Sequence, residues 1–242
     1  MQKTFEYIKQ AFDLKSQKCY KQAIEMLYKA LELENDNSEI LFQLGELYFL
    51  LKNLPRATHY LEKVLQKNAN HPEALKLMLK IYNFSDEKEL AYKAAKQIFE
   101  LQKTQENLIE LIKSAAKNND FKQIENIENS EPMNDKVLFE IANSYYKKGN
   151  FNIAKEKLQK ALDYNKENEE AQVLLGKIYF DENNFEQSKT IFNSFSKTTE
   201  NPEILNYLGL FALDDMQLID AIKYFVSSLR LSTSILNDCS MF

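Results

Sequence analysis

The chain has 242 residues, 44% of them hydrophobic and 28% charged, and carries a formal net charge of −5. This balance is typical of globular proteins and excludes a disordered chain, while four glycines and four prolines are too few for the turns of an all-β or α/β fold. The mild acidic excess argues against a nucleic-acid partner, because such proteins usually carry a basic excess.

The predicted elements recur with a period of about 34 residues. Aligning Gly45, Gly176 and Gly209 brings Tyr48 and Tyr179 into register three residues later. In each repeat, apolar residues fall at positions 4, 7, 8 and 11 and again around 17, 20, 24, 27 and 28, so both sets have helical spacing. Each repeat therefore predicts a helical hairpin, with a first and a second helix. In chain order, the seven predicted hairpins and the remaining tail or makeshift cap are 4–37, 38–71, 72–104, 105–134, 135–168, 169–201, 202–235 and 236–242.

Small residues and helix breakers fit the same arrangement. Glycine or alanine recurs at position 8 and alanine or serine at position 20, where the two helices of a hairpin have to approach closely. Pro55, Pro72 and Pro202 fall at predicted helix starts, where a missing N–H costs nothing. Gly149 falls in a turn between the two helices of a hairpin.

This pattern resembles the tetratricopeptide repeat family, and it is met most fully by Leu41-Leu44-Gly45-Tyr48-Ala57-Leu61-Val64. The resemblance covers nearly the whole chain, although the Trp typical of position 4 is absent. It implies a single solenoid, an all-α right-handed superhelix of about seven helix-turn-helix repeats. It also implies a scaffold or adaptor that binds a peptide segment or a partner surface in a concave groove. The alternative is a regulatory arm of a larger enzyme or chaperone complex whose catalytic part is elsewhere.

The fourth repeat, 105–134, departs from the pattern. Its position 8 is Ile112 and its position 20 is Ile124, and its second helix has to end before Pro132. Two interpretations stay open, a hinge between repeats 1–3 and 5–7 or a degenerate repeat that packs slightly differently. We favour the degenerate repeat.

Motifs for catalysis, cofactors or membranes are absent from the sequence. It has no glycine-rich phosphate loop, no HExxH and no nucleophile elbow, and His59 and His71 share no helical face. The longest apolar runs, such as 48–51, have about four residues, far below the roughly 20 that span a bilayer. The first ten residues lack the unbroken apolar core of a secretory signal. We therefore expect a cytoplasmic protein that is not an enzyme and has no cofactor, metal, membrane or nucleic-acid partner.

A second face of each first helix is available for binding. Positions 2, 5 and 9 point roughly 140° away from the core-facing positions, and position 12 borders them. The resemblance implies that this face lines the groove. The predicted groove residues are Phe5, Ile8, Phe12, Phe42, Phe49, Lys76, Lys80, Lys113, Phe139, Asn143, Tyr146, Lys177 and Phe180.

The predicted groove has an apolar N-terminal stretch and a polar ladder at position 9, formed by Lys80, Lys113, Asn143 and Lys177. Together they predict a protein or peptide partner that is acidic and has apolar anchors. The alternatives are that the position-12 aromatics pack against the adjacent repeat and that the lysines are a solvated face.

The last predicted helix carries an apolar arc of about 160°, wider than one neighbouring helix covers. Three interpretations stay open: the tail folds back as a cap, a partner covers the end, or the sequence is part of a longer protein. We favour self-association or a larger assembly. The arc is formed by Leu218, Ile219, Ala221, Ile222, Phe225, Val226 and Leu229.

Overall fold

The computed structural model describes residues 2–195 and 199–239, with side chains as far as Thr233. Within these residues the chain forms fourteen helices and no strand, so the all-α prediction is confirmed. The helices are α1 Gln2–Ser16, α2 Tyr20–Leu33, α3 Ser38–Leu50, α4 Leu54–Lys67, α5 Pro72–Phe84, α6 Lys88–Leu101, α7 Gln105–Lys117, α8 Phe121–Ser130, α9 Asp135–Lys147, α10 Phe151–Tyr164, α11 Glu169–Asp181, α12 Phe185–Ser194, α13 Pro202–Asp214 and α14 Leu218–Cys239.

The helices belong to two compact units, an N-terminal unit Met1–Asn129 and a C-terminal unit Ser130–Phe242. In the N-terminal unit α1 packs on α2, α3 on α4 and α5 on α6, and successive hairpins meet through α2 and α3, α4 and α5, and α6 and α7. In the C-terminal unit the hairpins are α9 with α10, α11 with α12 and α13 with α14. Within each unit, a hairpin therefore buries its apolar faces against its own two helices and its neighbours in sequence.

Small residues at position 8 set the spacing within a hairpin, as the sequence predicts. A Cβ added to Gly45 would lie 2.8 Å from Cγ of Leu61, a side chain with no exposed surface. A Cβ on Gly176 would lie 2.9 Å from Cε2 of the equally buried Phe192. Any larger residue at these positions would therefore push the second helix away from the first.

A left-handed residue ends the first helix of each described hairpin. It stands at position 15, with φ between 55° and 81°, and after α9 it is Gly149. The Gly149 N–H donates to the Tyr146 carbonyl at 2.8 Å and the Asn150 N–H donates to the Tyr145 carbonyl at 2.9 Å, which closes the last helical turn. The full set is Lys18, Lys52, Asp86, Asn119, Gly149, Asn183 and Met216.

Side chains that cap the first helices fix where these helices begin. Asn37 accepts from the Glu39 N–H at 2.9 Å, and Asn168 accepts from the Ala171 N–H at the same distance. Such a cap satisfies N–H groups that have no partner within the helix. Thr104, Asn134, Asn201 and the imidazole of His71 cap in the same way.

The fourth hairpin is shortened. Its second helix, α8, has 10 residues, as α12 does, whereas α2, α4, α6 and α10 have 14. Helix α8 ends at Ser130, before Pro132. The division between the two compact units falls in this last turn of α8. The repeat boundaries and both interpretations of the fourth repeat stay predictions. In the predicted tail 236–242, only the backbone as far as Cys239, within α14, is described.

Candidate functional site

The first helix of the N-terminal unit presents an aromatic face. Phe5 and Phe12 are 69% and 64% exposed, and both are predicted groove residues. Ile8 lies between them on the same face of α1 and is half-buried against the core of this unit. Since large aromatic side chains are rarely so exposed, the two rings are candidate anchors for a partner.

On α3 the two predicted aromatic residues are partly used by the fold. The Phe42 ring stacks on the His71 ring at the start of α5, with centroids 5.3 Å apart. Phe49 packs against the core, and the Lys52 ammonium lies 5.9 Å from its ring centroid. Both side chains are half-buried, so each is only partly available to a partner.

The predicted cations of the N-terminal unit differ in their surroundings. Lys76 and Lys80 on α5 are exposed, and neither has an ion-pair partner among the described residues. Lys113 on α7 lies 3.4 Å from the Glu110 carboxylate, three residues earlier on the same helix. Of the three predicted cations of this unit, Lys76 and Lys80 are therefore the two that a partner could pair without displacing an existing contact.

In the C-terminal unit three of the five predicted residues meet in one cavity of about 260 Å³. Phe139 and Asn143 reach it from α9, and Lys177 reaches it from α11. The remaining wall combines apolar, amide and acidic side chains from α11 and from the start of α13. They are Glu169, Glu170, Val173, Leu174, Asn201 and Glu203.

Three carboxylates and one ammonium group line the cavity. The Lys177 ammonium lies 2.8 Å from a Glu203 carboxylate oxygen on the next hairpin and 5.8 Å from the Tyr146 ring centroid. Glu169 and Glu170 add two further carboxylates to the lining. The one ammonium group is thus neutralised within the fold, and the cavity as a whole is acidic rather than basic.

The aromatic residues at position 12 of α9 and α11 are held by neighbouring helices. The Tyr146 hydroxyl donates to an Asp181 carboxylate oxygen at 2.7 Å, and burial together with this carboxylate raises the pKa of Tyr146. The Phe180 ring makes an edge contact with the Tyr207 ring of α13 at 5.1 Å. These are the contacts that the packing alternative predicts, since each residue joins its own hairpin to the next one.

Sequence reasoning missed the acidic part of this cavity. Glu170 and Glu203 stand at position 2 of their repeats, a position that belongs to the same outward face. Glutamate also stands there in repeats 2, 3 and 4, as Glu39, Glu73 and Glu106. This recurrence was the available signal, and it has a structural reason as well, because acidic residues stabilise the first turn of a helix.

The described residues contain no group of three or more His, Cys, Asp or Glu side chains placed to hold a metal ion. None of their helices combines the length and apolar character needed to cross a membrane.

Comparison with known proteins identifies the repeat. The family model described as tetratricopeptide repeat matches residues 14–81 and 145–208, more than half of the chain. A tetratricopeptide repeat protein from Parabacteroides merdae has a similar structure, with a TM-score of 0.63, 15% identity, and coverage of 96% of this chain and 94% of that one. No curated protein matches the chain.

Two further solved structures show weaker likeness. PilF of Pseudomonas aeruginosa has a TM-score of 0.49 and 15% identity, over 95% of this chain and 92% of its own. A MamA fragment from Desulfovibrio magneticus has a TM-score of 0.47 and 16% identity, over 82% and 99%.

Proposed function

Because this chain belongs to the tetratricopeptide repeat family, we propose that it is a scaffold or adaptor that binds a segment of a partner protein on the first helices of its hairpins. A binding role for proteins is general to the fold. The peptide segment, the cytoplasmic setting and the residues used are parts of the proposal.

One observation carries the proposal. Phe139, Asn143 and Lys177 come from two different helices and line one cavity together with the apolar side chains of Val173 and Leu174. A concave site in which apolar side chains are combined with convergent polar groups is a usual form of a binding site. In such a site, an aliphatic or aromatic side chain of the partner fills the cavity, and Asn143 bonds the partner's backbone.

The N-terminal unit supplies the second part of the proposal, an acidic partner with apolar anchors. Phe5 and Phe12 are exposed aromatic anchors on α1, and Lys76 and Lys80 are exposed cations on α5. A segment with apolar residues followed by carboxylates would complement both groups. The acidic lining of the C-terminal cavity disfavours a carboxylate there, so the acidic part of the segment would lie elsewhere.

The cavity is tested by affinity capture from native lysate with the wild type and a Phe139→Ala, Lys177→Ala double variant. The matched control is Tyr164→Ala with Lys166→Ala, which removes an exposed aromatic ring from the end of α10 and an exposed lysine from the turn after it. A partner that the wild type and the control retain and the cavity variant loses supports the proposal. Equal recovery of every bound protein by all three contradicts it.

The acidic preference is tested on the partner so identified. Lys76→Glu with Lys80→Glu should weaken binding about tenfold, since each exposed ion pair contributes about 0.5 to 1 kcal/mol. Lys96→Glu with Lys122→Glu makes the same charge change on second helices of the same unit and should leave the affinity unchanged. If both pairs weaken binding equally, only net charge matters and α5 is not part of the site.

A further inference from the structure

Helix α14 exposes a continuous apolar stripe. Four of its members, Ile219, Ile222, Val226 and Leu229, are spaced three, four and three residues apart, which is the spacing of a helix-pairing seam. Their exposed fractions are 72%, 62%, 39% and 66%, and Leu218 beside them is 58% exposed. These five side chains expose on the order of 500 Å² of mainly apolar surface, at the upper end of what a monomer usually shows.

The other second helices of the C-terminal unit are polar at the same repeat positions. Where α14 has Ile219, Ile222 and Val226, α10 has Asn152, Lys155 and Gln159, and α12 has Glu186, Lys189 and Asn193. The stripe is therefore a property of α14 and not of the repeat.

The second of these three positions, which Ile222 occupies in α14, also indicates which residue a following hairpin of this type would pair with. In α10 and α12 it is a lysine that pairs with an acidic residue just after the first helix of the next hairpin, Lys155 with Glu182 at 2.7 Å and Lys189 with Asp215 at 2.6 Å. In α14 this position is Ile222, which is unable to form such a pair. The surface that α14 presents is thus unlike the one on which a further hairpin of this type docks.

The beginning of the N-terminal unit does not match this stripe either. On later first helices, positions 3 and 10 contact the preceding hairpin and are buried, as for Ile40 and Leu47 on α3. On α1 these positions are Glu6 and Asp13, both exposed. Docking of α1 from another copy onto α14 would bury carboxylates against an apolar stripe, which costs free energy.

The described residues after the stripe do not fold back over it. Helix α14 continues without a break to Cys239, about 15 Å beyond Leu229 at 1.5 Å per residue.

We propose that the stripe binds the same stripe of a second copy of this chain, giving a two-fold dimer through α14. An apolar stripe is self-complementary, and a two-fold interface uses the same patch on both copies. The exposed area is a large part of the about 800 Å² per partner that a standard interface buries, and the flanking residues Leu213 and Met216, 42% and 83% exposed, extend it.

The test is sedimentation velocity of the full 242-residue chain over a wide range of concentration. We expect a monomer–dimer equilibrium, and we expect Ile222→Glu to raise the dimer dissociation constant at least tenfold. Ser227→Glu, which adds the same charge to an exposed position of α14 outside the stripe, should leave it unchanged. Circular dichroism checks that both variants keep the helical content of the wild type.

Three results would overturn the proposal. The wild type could be a monomer at every concentration, which would also be the result if another segment or a different protein covers the stripe. Its dimer could persist in Ile222→Glu, which would place the contact elsewhere. Species larger than a dimer could grow with concentration, which would indicate contact between unlike surfaces.

Discussion

Replacing Gly149 by alanine tests the helix endings described above. Gly149 has φ of 81°, and a Cβ added to it would meet no atom within 4 Å. Any loss of stability in Gly149→Ala therefore comes from the backbone and not from a clash. For a residue with a Cβ, the left-handed region costs about 1 to 2 kcal/mol of conformational free energy. Alanine also restricts the unfolded chain, which offsets about 0.4 to 1 kcal/mol of this cost. We therefore expect Gly149→Ala to lower the free energy of unfolding by about 1 kcal/mol.

The assay is urea denaturation followed by circular dichroism, with the transition midpoint and slope compared between variants. Gly149→Asn is the matched control, because asparagine tolerates this conformation and occupies the same position as Asn119 and Asn183. It should lose less stability than Gly149→Ala. Met216→Gly is the reverse change and should stabilise the chain by up to about 1 kcal/mol. If Gly149→Ala is as stable as the wild type, or asparagine is as harmful as alanine, the argument is wrong.

Three further outcomes are expected. A double-mutant cycle on Lys177 and Glu203, whose side chains are 24% and 49% exposed, should give a coupling of about 0.5 kcal/mol that shrinks as salt is added. Burial raises the pKa of Tyr207 to about 12 from its usual 10. The neutral hydroxyl therefore contributes stability to the folded chain that is complete below pH 10 and is lost as the pH rises through about 12. In a series of denaturation curves at increasing pH, Tyr207→Phe should show a smaller loss of stability over this range. Leu61→Ala, at a side chain with no exposed surface, should cost about 3 kcal/mol of unfolding free energy in urea denaturation. The exposed Leu33→Ala is its control and should cost under about 0.5 kcal/mol.

Helix positions were predictable from the sequence because their signals are local. Pro55, Pro72 and Pro202 lie at the starts of α4, α5 and α13, as predicted. The apolar spacing of each hairpin also identified its buried side chains, for example Leu61 and Leu158, because the buried side of a helix repeats every 3.6 residues.

The left-handed position 15 was mostly hidden from sequence reasoning. Glycine is the usual sign of such a turn, and only Gly149 carries it, whereas Lys18, Lys52 and Met216 stand at equivalent turns. The hydrogen bonds that close the helix involve backbone groups only, so they form with any residue that accepts a small conformational cost. The side chain at such a position gives little information about the turn.

The proposed binding face was also only partly predictable from the sequence. The sequence by itself placed Phe139, Asn143 and Lys177 on outward faces of their helices, since the direction of a side chain follows from its position in the turn. Only the tertiary structure decided that Glu203 neutralises Lys177 and that Phe180 packs on Tyr207. Both partners lie on the next hairpin, so their distances depend on how two hairpins pack, and no periodicity within one repeat contains that information.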